Sequence, residues 1–118
     1  MKAQSLTLAL GLCAALAFGA PAFAQVALGG GSAVHPTDTA VGRTAEATGG
    51  GATAVGDAAK AKGDSSTALG ADSQAAGERS TAVGQNAQAT DALGTALGQG
   101  SAASGAFSTA LGLSLIHI

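Results

Sequence analysis

Side chains that could perform acid–base, nucleophilic or metal chemistry are few in this chain of 118 residues. His35 has no second histidine or cysteine near it at metal-ligand spacing, and the single cysteine, Cys13, lies in the N-terminal segment. The many serines and threonines lack a neighbouring base that would activate one of them as a nucleophile. We therefore expect no catalytic residue, no metal site and no cofactor, and we expect the protein not to be an enzyme.

The acidic and glycine-rich positions favour turns over binding sites. Asp57, Asp64, Asp72 and Glu78 lie close to glycines, as solvated turn residues do. The glycine run 49–51 is not followed by a predicted helix, which a phosphate cradle requires. A net charge of −2 without Trp or Tyr excludes the usual basic and aromatic surface for nucleic acid, so we expect no nucleic-acid partner.

The N-terminal residues have the pattern of an export signal. Lys2 precedes an apolar run over residues 6–20, and the small-residue motif 22–24 stands before Gln25. We interpret residues 1–24 as a signal peptide that is removed. A membrane anchor is the alternative, but the run is shorter than the ~20 apolar residues that span a bilayer. Lipidation of Cys13 is a second alternative, disfavoured because Leu12 precedes it where a small residue is usual.

The elements of the mature chain follow from an internal repeat. The motif Thr-Ala-(Val or Leu)-Gly returns every fourteen residues, with small residues three and five positions after each glycine. A unit of this length is too short for two helices, and glycines at fixed places predict short strands joined by turns. The turn glycines are Gly42, Gly56, Gly70, Gly84, Gly98 and Gly112.

Stacking such units gives an all-β parallel β-solenoid, in which alternate residues of each strand point inward. The predicted coil interior consists of Ala45, Ala47, Ala59, Ala61, Ala75, Ala87, Ala89 and Ala103. Between these alanines lie outward residues that we interpret as facing a ligand: Glu46, Lys60, Gln74 and Gln88.

In the other strand the alanine and the following Val or Leu must point to opposite sides. If the alanine is inside, an apolar stripe runs along the outside of the solenoid, and a symmetric oligomer would bury it. The predicted seam consists of Val41, Val55, Leu69, Val83, Leu97 and Leu111. The threonine that opens each unit keeps a second hypothesis open, an ice-binding face, although such faces usually carry two threonine columns.

The pattern TAVGDAAKAKGDSSTALG resembles the head repeat of YadA-like trimeric autotransporter adhesins. The match is good from residue 40 to 112 and loose from residue 27 to 39. The resemblance implies a left-handed parallel β-roll, a homotrimer with the apolar strands on its axis, and display on the outer membrane of a Gram-negative bacterium. It also implies a partner among host extracellular-matrix proteins or host cell surfaces, with membrane anchoring only through a C-terminal domain absent from this sequence.

We therefore expect four segments. Residues 1–24 are the signal peptide, residues 25–41 a degenerate first coil or cap, and residues 42–112 the regular head repeats. Residues 113–118 leave the pattern, because Leu115 stands where Ala or Ser is expected, and they are either a strand leading onward or a non-native remnant. The expected function is attachment by a surface-exposed adhesin head; a structural spacer within a longer adhesin is the alternative.

Overall fold

The computed structural model describes residues 25–112 and 116–117. The predicted signal peptide, residues 1–24, lies outside the described residues. Within the described part the backbone consists of short strands and tight turns, and none of it forms a helix that is long and apolar enough to cross a membrane.

Each coil contributes one strand to each of two seven-stranded sheets. The strands built on the Thr-Ala-(Val/Leu) motif are three residues long and form sheet 1. Sheet 1 consists of β1 (Val26–Leu28), β3 (Thr39–Val41), β5 (Thr53–Val55), β7 (Thr67–Leu69), β9 (Thr81–Val83), β11 (Thr95–Leu97) and β13 (Thr109–Leu111). The strands that end on the second small residue are two residues long and form sheet 2. Sheet 2 consists of β2 (Ser32–Ala33), β4 (Glu46–Ala47), β6 (Lys60–Ala61), β8 (Gln74–Ala75), β10 (Gln88–Ala89), β12 (Ala102–Ala103) and β14 (Ile116–His117).

All strand pairs are parallel, and residues fourteen apart face each other from β3 onward, as Thr39 faces Thr53. The predicted parallel β-solenoid of fourteen-residue coils is therefore confirmed. Strand β14 keeps the same offset, since Ile116 pairs with Ala102. A strand thus continues sheet 2 in a tail whose sequence leaves the repeat pattern.

The first coil is one residue shorter than the others. Val26 faces Thr39, thirteen positions away, whereas Ser32 faces Glu46 at the regular fourteen. The missing residue therefore lies in the turn between β1 and β2, and the sheets absorb it without losing their register.

The space between the two sheets is filled by fully buried small side chains. The molecule measures 48 × 28 × 12 Å, so its thin dimension admits side chains of about the size of a methyl group. The fully buried alanines are Ala40, Ala45, Ala47, Ala52, Ala54, Ala59, Ala61, Ala68, Ala75, Ala82, Ala87, Ala89, Ala96, Ala103 and Ala110. Every alanine predicted for the coil interior is among them.

Close approach of successive coils explains the glycines at the two turns. Gly56 has φ +133°, and a Cβ added to it would lie 2.7 Å from the carbonyl carbon of Gly70 in the next coil. A Cβ on Gly63, in the other turn, would lie within van der Waals overlap of the Gly77 carbonyl oxygen. These positions need glycine because the neighbouring backbone occupies the space of a side chain.

The turns contain residues other than the expected glycines in the left-handed backbone conformation. Besides the turn glycine, two positions in each regular coil have positive φ, and most residues at these two positions are not glycine: Thr44, Ala58, Ser65, Asp72, Arg79, Asn86, Leu93 and Phe107. From Ala58 onward the N–H of each such residue donates to the preceding coil, as Ala58 does to the Arg43 carbonyl at 2.9 Å. Hydrogen bonds between coils therefore hold a conformation that costs an L-residue roughly 1–2 kcal/mol.

Candidate functional site

The outer face of sheet 1 carries the residues predicted to form a seam. Register brings them into one column, because each Val or Leu pairs with its equivalent in the next coil. Val41, Val55, Leu69 and Val83 are half-buried by their neighbours in the single chain. Their column continues into Leu97 and Leu111, which are 37% and 55% exposed.

A column of threonines runs beside this apolar column on the same face. It consists of Thr39, Thr53, Thr67, Thr81, Thr95 and Thr109. All but Thr109 are half-buried, and the alanine between each threonine and its apolar neighbour is fully buried. Sheet 1 therefore presents a flat outer surface of methyl and hydroxyl groups that carries no charge.

The outer face of sheet 2 is polar. Register aligns Glu46, Lys60, Gln74 and Gln88 in one column, with Glu46 and Lys60 half-buried and the two glutamines exposed. The Lys62 ammonium lies 3.9 Å from the Glu46 carboxylate in the coil before it. This face has the donors and acceptors that a polar partner requires, in a column with one member per coil.

Side chains at one turn edge also meet across coils. Arg43 donates a hydrogen bond to the Asp57 carboxylate, with 2.9 Å between Nη2 and Oδ2. That bond lowers the pKa of Asp57 and raises the pKa of Arg43. Three coils later the same edge carries a neutral pair, in which the Gln99 amide donates to the Gln85 oxygen at 3.3 Å.

Asp38 is a fully buried carboxylate in the first coil. One of its oxygens accepts the Ala52 N–H at 2.9 Å, and the other accepts the His35 N–H at 2.8 Å and lies 3.1 Å from His35 Nδ1. Burial alone raises the pKa of Asp38, but the two backbone N–H groups and the His35 ring together outweigh it and leave the pKa below its usual value. His35, which has no metal-ligand partner in the sequence, thus helps to hold this carboxylate.

Buried serines occupy two kinds of interior position. Ser73 and Ser101 donate to carbonyl oxygens of their own turns, those of Gly70 and Gly98. Ser66 Oγ and Ser80 Oγ find no hydrogen-bond partner among the described residues. The part of the chain that the structure describes contains no group of three His, Cys, Asp or Glu residues arranged to hold a metal ion.

Two features of the structure, one buried and one on the surface, were missed from the sequence. Asp38 occupies the interior position before the threonine, where later coils have Ala52 or Ser66. An acidic residue among small residues at this repeat position was the sequence signal for a buried carboxylate. Leu93 and Phe107 occupy the left-handed turn position, and they are 41% and 77% exposed. The sequence signal for them was a large apolar residue at a repeat position that holds Gly51 and Ser65 in earlier coils.

Comparison with known proteins agrees with this geometry. The family model described as YadA head domain repeat (2 copies) matches in overlapping segments at residues 37–59, 47–73, 61–87, 75–93 and 92–114. No curated protein matches the chain. The matched segments cover the regular coils and most of the chain, and the resemblance seen in the repeats is confirmed. Repeats of this family are found in trimeric autotransporter adhesins, surface proteins of bacteria that are not enzymes, and this chain belongs to the family of YadA head domain repeats.

Proposed function

We propose that this protein is the head region of a homotrimeric surface adhesin and attaches a Gram-negative bacterium to host extracellular matrix or host cells. The observation that carries the proposal is the run of family repeats in phase with the coils of the solenoid. Residues 1–24 direct its export, residues 25–41 form its first coil, and residues 42–112 form the repeated head.

The trimer is supported by the character of the outer face of sheet 1. An uncharged surface with a Val/Leu column along its whole length would promote association of a monomer. A rotation axis parallel to the solenoid brings that same face from each copy together, and closed symmetry leaves no apolar face open. The proposed seam is the Val/Leu column, with the threonines at its margin.

Attachment is assigned to the outer face of sheet 2, which points away from the axis in such a trimer. Its polar column of Glu46, Lys60, Gln74 and Gln88 repeats at the spacing of the coils. Single contacts of this kind are weak. Three copies on one axis raise the effective concentration at a partner that carries repeated sites, such as a matrix fibre.

The test is binding of the purified protein to surfaces coated with collagen, fibronectin or laminin, and to host cells. A variant with alanine at Glu46, Lys60, Gln74 and Gln88 should lose attachment and keep its oligomeric mass. The matched control replaces the turn-edge glutamines, Gln85→Ala and Gln99→Ala, and should bind like the unaltered protein.

Two results would contradict the proposal. Binding no better than that of an unrelated protein would favour the alternative function, a structural spacer that holds other adhesive regions away from the cell. Equal binding by the four-residue variant and the control would move attachment off the outer face of sheet 2.

A further inference from the structure

Two neighbouring coils near the C-terminal end expose apolar side chains on one turn edge. Leu93 and Phe107 are fourteen positions apart and occupy the same position in successive turns, and Ala92 and Ala106 precede them. Phe107 is the most exposed large apolar residue among those that the structure describes, at 77%. We call Leu93 and Phe107 the apolar ridge.

The backbone at the ridge makes these residue types unfavourable in the single chain. Leu93 has φ 59° and Phe107 has φ 62°, a left-handed conformation that is rare for bulky residues. Gly51, Ser65 and Arg79 occupy the equivalent position in earlier coils. Neither the turn nor the interior requires a large apolar side chain there, because the turn forms equally well with serine or arginine.

The ridge adjoins sheet 1 along the chain. Only one residue separates Leu93 from Thr95, and that residue, Gly94, is buried. The last two coils therefore expose apolar side chains both on the outer face of sheet 1, at Leu97 and Leu111, and at the turn that precedes its threonines. The two preceding coils carry charged residues at the same turn: Asp64 in one, and Glu78 with Arg79 in the next.

We propose that the apolar ridge is covered by a second copy of this chain. This inference rests on the proposed homotrimer and extends its contact from the seam to the turn edge. A rotation axis along the solenoid carries no translation, so the ridge meets a neighbouring copy at its own level. The sequence at that level, residues 92–112, has no charged side chain, so the contact buries no unpaired charge.

Tryptophan fluorescence tests this contact, because the chain contains no tryptophan of its own. The variant Phe107→Trp, secreted with its own N-terminal segment and purified, should assemble, and its emission should shift to shorter wavelength as the protein concentration rises. The matched control is Arg79→Trp, which places the same probe at the equivalent turn position among charged residues. Its emission should remain that of a water-exposed tryptophan.

A second pair of variants measures the contribution of the ridge to assembly. Phe107→Ser should raise the protein concentration at half-assembly by about tenfold, a modest share of the interface free energy. Arg79→Ser should leave it unchanged. Serine already occupies this turn position as Ser65, so both variants keep a residue that the turn accepts.

The outcomes separate this inference from the proposed function. An oligomer in which the tryptophan introduced by Phe107→Trp stays water-exposed would overturn the ridge contact and leave the seam in place. A shift of the emission to shorter wavelength in both Phe107→Trp and Arg79→Trp would show that the contact is not restricted to the last two coils. A folded protein that is monomeric at every concentration would remove the trimer itself, and the ridge contact with it.

Discussion

Charged side chains line the outside of residues 43–79, whereas residues 92–112 carry none. Both regions have the same strand register and the same fully buried alanines, as Ala59 and Ala103 illustrate. Interior positions are fixed by the narrow space between the sheets, so they repeat. Outward positions are not constrained in this way. We therefore interpret their differences as differences in whether each region contacts solvent or a partner.

The largest expected effect comes from placing a charge on the proposed seam. Val55→Asp, in the charged region, should dissociate the proposed trimer, since an unpaired carboxylate buried at an interface costs about 3–5 kcal/mol per copy. Leu97→Asp, in the uncharged region, should do the same. Lys60→Asp, on the outer face of sheet 2, should leave the mass measured by light scattering unchanged.

These three variants also sharpen the comparison between the two regions. Dissociation by Leu97→Asp alone would confine the interface to the uncharged coils. Equal effects of Val55→Asp and Lys60→Asp would mean that the assignment of inner and outer faces in the trimer is wrong.

The second effect concerns a turn position that holds glycine in both regions and Asp91 in the coil between them. In the charged region this position is Gly63, whose added Cβ would overlap the Gly77 carbonyl oxygen, and two coils later it is Asp91. Gly63→Ala should lower the free energy of unfolding by about 3 kcal/mol, because the coils would have to move apart. Asp91→Ala, where a side chain is already accommodated, should change it by less than about 0.5 kcal/mol.

Thermal unfolding followed by circular dichroism measures both substitutions. A Gly63→Ala variant as stable as the unaltered protein would show that the coils can separate at this turn without cost. The predicted need for glycine at this position would then be wrong.

How far the sequence predicts this molecule can be judged at particular residues. The fourteen-residue period and the alternation of small side chains were sufficient to predict the parallel register and the burial of Ala47 and Ala61. They were not sufficient for the left-handed conformations of Ala58 and Asp72, because hydrogen bonds between coils impose those and local preference opposes them. The buried carboxylate of Asp38 was missed for a similar reason, since one of its partners, Ala52, lies in the next coil.

The third effect is at the N-terminal boundary of the charged region, where Asp38 holds two backbone N–H groups. Asp38→Asn should destabilise the protein by about 1–2 kcal/mol near neutral pH, because one side-chain acceptor is replaced by a donor. The pKa of Asp38 lies below its usual 3.8 in the folded chain. The carboxylate therefore stabilises the fold above pH 3.8, and this contribution is lost as the pH falls below 3.8 through the folded pKa.

Thermal unfolding of both proteins over a series of pH values checks this prediction. The difference between the unaltered protein and Asp38→Asn should be constant near neutrality and should shrink in acid. A difference that persists unchanged at a pH well below 3.8 would show that the carboxylate charge contributes nothing to the first coil.

The smallest effect is expected where the charged region is made to resemble the uncharged one. The double variant Arg43→Gln with Asp57→Gln replaces an exposed ion pair by the neutral pairing that Gln85 and Gln99 make at the same edge. Exposed pairs of this kind contribute little, so the melting temperature should not change measurably, with or without added salt. A melting temperature that falls with salt in the unaltered protein and not in the variant would contradict this. An unchanged temperature would mean that this ion pair is dispensable for folding, so that its absence from the uncharged region costs the fold nothing.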